Sequence, residues 1–444
     1  MSVPRMGSST LDSSYRDSLL AAINRYLPRR LFAGKPSHLR WSERLLVLCI
    51  VLMTWSVADT LGDRFEEARR SLVKMFPGRR RPGRTYSGFM AALLKVSDSL
   101  LRRVSNHLRG EVRALAGARH WSCKGFVPFG ADGSKTECSK TAANERAFGC
   151  AGKNKSTPQQ FITTLLHLPS GVVWDFRCGP ARSSERAHLR DMLDTLPADA
   201  LLIADAGFTG YELLSAILDS GRHFLIRVGS NVRLLKKLGY TVEEREQTVY
   251  LWPDDQHRKQ PPLVLRLITL VDGRNRKMHL LASVLDATRM SDELAGELYT
   301  LRWGVELHYR ALKQTLRRRK LAADAPATAR AELRWAMIAL WLLSLAGVGV
   351  IVRSGGDPRR LSVAMALRCL RRAMRAPTLR CGSNGLEHQL ARAVQDSYQR
   401  RAAKRARDWA HKKKPKPIGD PNARNATEQE VLLAQRFSAT LRAA

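Results

Sequence analysis

Negative charge is scarce in this sequence of 444 residues. Its 40 aspartate and glutamate residues stand against 75 lysine and arginine residues, so the formal net charge is +35 at pH 7. An excess of this size is unexpected for an enzyme of small molecules and indicates a polyanionic partner. The basic residues are concentrated in four runs: GRRRPGR (Gly78–Arg84), RRRK (Arg317–Lys320), RCLRRAMR (Arg368–Arg375) and RRAAKRARDWAHKKKPK (Arg400–Lys416). Runs spread along the chain in this way favour nucleic acid over a membrane surface.

Metal-binding and disulfide patterns are missing from the seven cysteines. No two of them form a CxxC pair and no Cys/His spacing matches a zinc site, so we expect reduced thiols. The first residues, MSVPRMGSSTLDSSYRDS, lack the charged segment followed by an apolar segment that marks a secretory signal. The sequence therefore predicts a cytoplasmic protein.

Long apolar segments are also rare. Trp335–Val352 has 18 residues without a charge, which is the lower length limit for a membrane span. We predict a buried helix instead, because the segment follows a polar helix and has Gly-Val-Gly-Val near its end. A single span would also leave basic segments on both sides with no second span to organise them. No membrane association is expected.

The N-terminal part of the chain has a helical pattern. From Leu19 to about Ala118, apolar residues recur at three- and four-residue spacing. The loop PGRRRPGR interrupts this pattern, and its composition suits contact with phosphates. We predict a helical DNA-binding domain over residues 1–120.

Strand-like segments begin near Lys124. In GFVPFGADGSK we predict a short apolar strand that runs into Asp132-Gly133. The other predicted strands are QQFITTLLHL, GVVWDFRC, ALLIAD and HFLIRV, and the predicted helices are SSERAHLRDMLDTL and YELLSAILDSG. The turn LPSG joins the second and third strands into a hairpin. This order predicts the first part of a mixed α/β core over residues 121–230. The short strand-like runs that follow predict a β-strand insertion over 231–288.

The remainder of the core is predicted over residues 289–355, with one helix from Ser291 to Arg319 and Ser291 or Asp292 as its N-cap. Residues 356–444 are predicted to form a basic helical region and tail. Within the long helix, Tyr299, Arg302, Glu306 and Lys313 share an arc of about 60° at about 100° per residue. Such a stripe is also typical of a solvated helix face with ion pairs, each stabilising by about 0.2–0.5 kcal/mol.

Three carboxylates stand out as candidate metal ligands. Asp132 and Asp205 come where predicted strands end, which is where α/β sheets bind ligands, and Glu306 lies on the polar helix. Either aspartate alone is also typical of a turn or a helix cap. Three converging carboxylates repel by about 4 kcal/mol per pair at an effective dielectric near 20, so a cation is required. All-oxygen ligands select Mg²⁺, and two ions can stabilise both oxygens of a phosphoryl displacement.

These residues resemble the DDE transposases of the insertion sequence 4 family. The resemblance is carried by Asp132 in FGADGS, by Asp205 in IADAGFTGYELL followed by FLIRV, and by the spacing Tyr299-x2-Arg302-x3-Glu306-x6-Lys313. It implies a ribonuclease H-like mixed-sheet core interrupted by a β-strand insertion. It also implies that Asp132, Asp205 and Glu306 are catalytic and hold two Mg²⁺ ions, with Mn²⁺ as a substitute. Tyr299, Arg302 and Lys313 are then expected to contact DNA, and Trp303 to stack on a flipped base.

The activity that this resemblance implies is cut-and-paste DNA transposition in a bacterial cytoplasm, at the nucleoid. Metal-activated water cleaves the element ends, and the new 3′-hydroxyl attacks DNA. The sequence does not decide whether a hairpin intermediate forms. The expected partner is double-stranded DNA, namely terminal inverted repeats and target, bound by a homodimer. Two alternatives share these residues: a ribonuclease H-like nuclease without strand transfer and an inactive DNA-binding derivative. His188 and His308 are lone histidines, which are usually surface or packed residues, and we leave them out of the site.

Overall fold

The computed structural model describes residues 17–32, 40–78, 81–150, 156–241, 244–257, 259–271, 275–380, 385–395 and 419–441. The described residues fall into two compact units. The first unit draws on residues 1–123, 133–184 and 304–395, and the second on 124–132, 185–303 and 396–444. The basic run Arg400–Lys416 lies outside the described residues, as do Arg79 and Arg80 of the first run.

The first unit is mainly helical, and hydroxyl side chains begin its N-terminal helices. Ser18, Ser42, Thr60 and Thr85 each accept a hydrogen bond from a backbone N–H in the first helical turn, at 3.1–3.3 Å. The predicted helical N-terminal region is confirmed. The helices are α1 (Leu19–Tyr26), α2 (Glu43–Trp55), α3 (Leu61–Met75), α4 (Tyr86–Trp121), α5 (Ala142–Phe148), α9 (Trp303–Arg310, of which Gly304 onward belongs to this unit), α10 (Pro326–Arg353), α11 (Val363–Ala373) and α12 (Gly385–Ala391).

Helix α10 forms the centre of the first unit. It is apolar on all faces, and such a helix must be buried. Trp335 Nε1 donates to Ser97 Oγ at 3.1 Å, and Trp55 Nε1 donates to the carbonyl of Ala339 at 3.1 Å. Among the described residues it is the one helix long and apolar enough to cross a membrane by length and composition, yet 94% of its most apolar window is buried. The predicted buried helix is confirmed.

The first unit also contains the predicted hairpin. Strands β2 (Gln159–His167) and β3 (Val172–Pro180) pair antiparallel from Gln160 opposite Pro180 to His167 opposite Val172. Asp175 on β3 is buried, and it is paired with Arg109 of α4 at 3.1 Å and with Arg177 at 3.0 Å. A buried carboxylate with two guanidinium partners fixes the hairpin against the helical layer.

The second unit is built on a mixed sheet. Strand β1 begins in this unit and pairs in parallel with β4, which pairs in parallel with β5. The sheet continues through β9, β8, β7 and β6, each antiparallel to its neighbour, and ends with β10 parallel to β6. The strands are β1 (Val127–Glu137), β4 (Ala200–Ala204), β5 (His223–Val228), β6 (Arg233–Lys236), β7 (Thr248–Leu251), β8 (Leu263–Val271), β9 (Lys277–Ala282) and β10 (Asn422–Asn425).

The strands predicted as an insertion therefore extend the same sheet that holds β4 and β5, because β9 pairs directly with β5. The predicted mixed-sheet α/β class, with its helical N-terminal region, is confirmed; the five domain boundaries remain predictions. The helices of the second unit are α6 (Glu185–Arg190), α7 (Tyr211–Asp219), α8 (Asp292–Thr300) and α13 (Glu428–Leu441).

Two local predictions were wrong. The single helix from Ser291 to Arg319 is interrupted: α8 ends at Thr300, two turn residues follow, and the segment Ala311–Thr315 after α9 is a π-helix. Strand β1 does not end at Asp132 but continues to Glu137. The continuation is stabilised because the Glu137 N–H donates to the Arg319 carbonyl at 3.0 Å and its carbonyl accepts from Leu321 at 2.8 Å. This pairing outweighs the Asp-Gly turn preference.

Candidate active site

Asp132 and Asp205 lie side by side in the second unit. The parallel register of β1 and β4 puts Gly130 opposite Ile203, where the pairing ends. Asp132 and Asp205 each follow two residues later, so they come to matching positions. Neighbouring strands are about 4.8 Å apart, and residues at matching positions of a parallel pair point to the same face. The two aspartates therefore meet at the carboxyl ends of β1's parallel segment and of β4. Ligands of α/β sheets usually bind at this end of the strands.

Asp205 is held by the turn that follows β4. It is the N-cap of the short 3₁₀ helix Ala206–Phe208, and its Oδ1 accepts a hydrogen bond from the Gly207 N–H at 2.9 Å. Phe208 is fully buried and anchors the turn. A carboxylate has about four lone-pair sites. One bond to the backbone fixes its orientation and leaves capacity for a cation.

Glu185, the first residue of α6, brings a third carboxylate to the same place. Burial raises its pKa, the charges of Asp205 and Asp132 raise it further, and Arg186 opposes the shift. A Cβ atom added to Gly207 would lie 2.3 Å from Glu185 Oε1 and 3.0 Å from Asp205 Oδ1. The Glu185 carboxylate therefore lies directly against the glycine of the Asp205 turn. The sequence analysis missed this residue, because an acid at a helix start is usual and only the pairing of β1 with β4 reveals its neighbours.

Tyr299 lies near Asp205 in the second unit and contacts Arg302. Burial raises the Tyr299 pKa; the positive charges of Arg302 and Arg227 oppose the shift and the charge of Asp205 adds to it. The Arg302 guanidinium carbon is 5.7 Å from the centre of the Tyr299 ring. The structure thus brings Tyr299 and Arg302 together on the Asp205 side. The neighbouring Trp303 is 54% exposed, so its indole is accessible.

Glu306 and Lys313 belong to the first unit, as residues of α9 and of the π-helix that follows it. Lys313 Nζ donates to Ser134 Oγ at 2.7 Å, and Ser134 is two residues beyond Asp132 in β1. Leu316 donates to the carbonyl of Ala311 at 2.9 Å, the five-residue step of a π-helix. The chain leaves regular α-helix geometry both before Trp303 and after Arg310, so the predicted single 60° stripe does not apply.

His308 is fully enclosed in the first unit. Burial lowers its pKa to about 4, so the imidazole is neutral at pH 7. Among the described residues its Nε2 atom has no hydrogen-bond partner. A neutral, enclosed ring is a packing residue, which agrees with leaving His308 out of the site.

A different group has ligand atoms within 4.8 Å of one another in the described residues, namely Asp254, His257 and Glu430. Two of its three members, His257 and Glu430, already form hydrogen bonds within the fold, and Asp254 is exposed. Glu430 accepts both nitrogens of the Arg424 fork at 2.8 and 2.6 Å, which lowers its pKa to about 2, and His257 Nε2 bonds to the Trp252 carbonyl at 2.8 Å. We interpret this group as a support for β10 and α13 rather than as a metal centre.

Comparison with known proteins identifies the region around these residues. Residues 131–342, just under half of the chain, match the family described as transposase DDE domain. Transposase InsG for insertion sequence element IS4 of Escherichia coli (strain K12) is 27% identical over 289 residues, which cover 62% of this chain and 64% of that protein. The chain thus matches less than two thirds of the length of that relative.

Among solved structures, the chain is similar to the piggyBac transposase, seen by cryo-EM in a synaptic complex with hairpin DNA. The TM-score is 0.42 and the sequence identity 11%, over 87% of this chain and 83% of that chain.

The family match begins one residue before Asp132 and includes all seven residues singled out from the sequence.

Proposed function

We propose that this chain, which has a transposase DDE domain at residues 131–342, catalyses cut-and-paste transposition of an insertion sequence by DNA end cleavage and strand transfer. The observation that carries the proposal is that Asp132 and Asp205 each lie two residues beyond the last paired residues, Gly130 and Ile203, of two adjacent parallel strands inside that domain. Two aspartates in this arrangement, with the Tyr299–Lys313 spacing that follows in sequence, suit metal-dependent phosphoryl transfer.

The residues present fit divalent metal ions. Carboxylate oxygens are hard ligands that favour Mg²⁺, with Mn²⁺ as a substitute, and the missing Cβ of Gly207 lets the Glu185 carboxylate approach the side of Asp205. We assign Asp132, Asp205 and Glu306 as the metal ligands by their places in the family pattern. When bound, two ions would activate water and stabilise the attacking and leaving oxygens.

The remaining site residues would hold DNA. Lys313 donates to Ser134 and Arg302 contacts Tyr299, and these contacts support a role for both cations in binding phosphate oxygens. The exposed Trp303 suits stacking on an extruded base. In the reaction, a water oxygen attacks phosphorus and the 3′-oxygen leaves as a hydroxyl. That hydroxyl then attacks the phosphorus of a second phosphodiester, and the 3′-oxygen of that phosphodiester leaves and takes up the proton. One P–O bond forms and one breaks in each step, and no covalent bond to the protein is needed.

A basic groove in the first unit supports double-stranded DNA as the partner. It has a volume of about 530 Å³ and lies between α3 and α11. We call it the α3–α11 groove; its charged lining residues are Arg70, Lys74, Arg368, Arg371, Arg372, Arg375 and Glu67. The predicted basic run RCLRRAMR therefore faces a helix of the N-terminal region. Six cations against one acid suit DNA phosphates, whose contacts release counterions and make binding salt-dependent.

The finer parts of the proposal come from the family resemblance. We infer that the DNA is the terminal inverted repeats of the element and its target, that two copies of the chain act together on it, and that the protein works in the bacterial cytoplasm at the nucleoid. Residues 1–120 are assigned to end recognition, because they are helical and basic and contribute α3 to the groove.

The test compares purified wild type with Glu306→Gln on labelled DNA that carries the sequences flanking the gene, in Mg²⁺. We expect cleavage and joining to a plasmid by the wild type, and DNA binding without chemistry by the variant. Glu297→Gln, an exposed acid on α8, is the matched control and should remain active. Cleavage without joining would favour the nuclease, and binding without any cleavage by the wild type would favour an inactive derivative.

A further inference from the structure

We propose that Glu185 supplies a further carboxylate to the metal centre, beside Asp132 and Asp205 of the same unit. The inference deepens the proposed function and rests on it. Its basis is geometric: Glu185 lies against Gly207, and Gly207 is the residue whose N–H orients Asp205.

The position of Glu185 is fixed by its neighbour in α6. Arg186 Nε donates to the carbonyl of Gly207 at 2.8 Å, which ties the start of α6 to the Asp205 turn. A Cβ atom on Gly210 would lie 2.8 Å from Arg186 Nη1, so this second glycine also makes room for α6. The Glu185 carboxylate therefore lies at the Asp205 end of the segment 207–210, and the Arg186 side chain extends from the Gly207 carbonyl to Gly210.

The two glycines are required for space rather than for backbone conformation. Neither has a φ angle in the left-handed region, and Gly210 has an extended φ of 171°. Glycine at both positions therefore has another cause, the approach of the two α6 side chains. A sequence that keeps this passage open allows a carboxylate to reach the side of Asp205.

A structural role explains this arrangement less well. A glutamate at a helix start is stabilised by the N-terminal backbone N–H groups, but α6 has only six residues and its dipole is small. Placing the carboxylate beside Asp205 and Asp132 brings like charges together. The three carboxylates repel one another unless a cation binds between them. Mg²⁺ takes six oxygen ligands, so a two-ion centre has coordination positions for a fourth carboxylate.

The experiment measures Mn²⁺ binding to the full chain by electron paramagnetic resonance and by titration calorimetry, without DNA. We expect Glu185→Gln to weaken Mn²⁺ binding at least about tenfold, the lower end of the effect for residues that support a metal site. Gly207→Ala, which keeps the carboxylate but displaces it, should weaken binding in the same direction. Glu297→Gln is the control and should bind as the wild type does.

Thermal melting with and without Mn²⁺ shows that each variant is folded. It also measures two effects of Glu185→Gln on the melting temperature that have opposite signs. Removing a like charge should raise the melting temperature of metal-free Glu185→Gln while reducing the increase that Mn²⁺ produces. Wild-type affinity in folded Glu185→Gln, together with lost affinity in Asp205→Asn, would overturn this inference and leave the proposed function intact. No Mn²⁺ binding by the wild type would overturn both.

Discussion

Two groups of acidic residues in the second unit differ in how the fold compensates their charge. The Glu430 carboxylate accepts hydrogen bonds from the Arg424 guanidinium and from the N–H of Thr427, the latter at 2.7 Å. Hydrogen bonding to Arg424 lowers the pKa of Glu430 to about 2. Glu185 is raised in pKa by burial and by the charges of Asp205 and Asp132. The fold itself satisfies the first carboxylate. We expect the second group to be stabilised when a cation is added, which would distinguish acids that support the fold from acids available to a ligand.

The largest expected effect separates the two groups by activity. Asp205→Asn should lower DNA end cleavage on the order of 10³-fold or more, because it removes a metal ligand while keeping the shape of the side chain. Glu430→Gln should keep the wild-type rate at a temperature where it is folded. Single-turnover cleavage rates check both variants. Equal losses in the two would contradict the distinction.

Stability should rank the same groups in the opposite order. Glu430→Gln loses a charged pair with Arg424 and part of the N-terminal support of α13, so we expect a loss of about 1–3 kcal/mol in the free energy of unfolding. Asp205→Asn without metal should be as stable as the wild type or more so. Urea unfolding in the presence of a chelator measures both.

The distinction extends to the cations of the α3–α11 groove. Arg371 Nε donates to the Trp55 carbonyl at 2.6 Å, whereas Arg368 is exposed. Arg371→Ala should therefore destabilise the first unit. Arg368→Ala should leave stability unchanged, weaken DNA binding, and reduce the slope of log affinity against log salt by about 0.9.

Fluorescence anisotropy over a salt series measures this slope. Arg102→Ala, an exposed arginine on α4 outside the groove, is the matched control. An unchanged slope in Arg368→Ala would remove this residue from the DNA contact.

The smallest expected effect is on the pH dependence of stability, to which Glu430 and Glu185 should contribute with opposite signs. The folded pKa of Glu430 is about 2, below its ordinary value of 4.5, so its contribution is present above pH 4.5 and is lost as pH falls towards 2. The folded pKa of Glu185 is raised, so metal-free stability should decrease as pH rises above 4.5 through that pKa. Melting temperatures from about pH 3 to about pH 8 in chelator test this. Glu185→Gln should lose the decrease, and Glu430→Gln the acid-side loss.

The sequence was sufficient for residues whose role follows from strand order or spacing. ALLIAD predicted that Asp205 follows a buried strand, and LPSG predicted the β2–β3 hairpin, because both depend on local patterns. The interruption at Leu301–Arg302 was not predictable, because the residues on both sides have an ordinary helical pattern. Glu185 was missed because its neighbours come from strands that pair only in the folded chain.

We infer that Asp132 and Asp205 form a metal-dependent centre for DNA cleavage and joining. The most direct measurement is the joining of a pre-cleaved element end to a plasmid, by the wild type and by Asp132→Asn, in Mg²⁺ and in chelator. We expect joined product only for the wild type with Mg²⁺, while both proteins retain DNA binding. Joining by Asp132→Asn at the wild-type rate, or by the wild type in chelator, would contradict it.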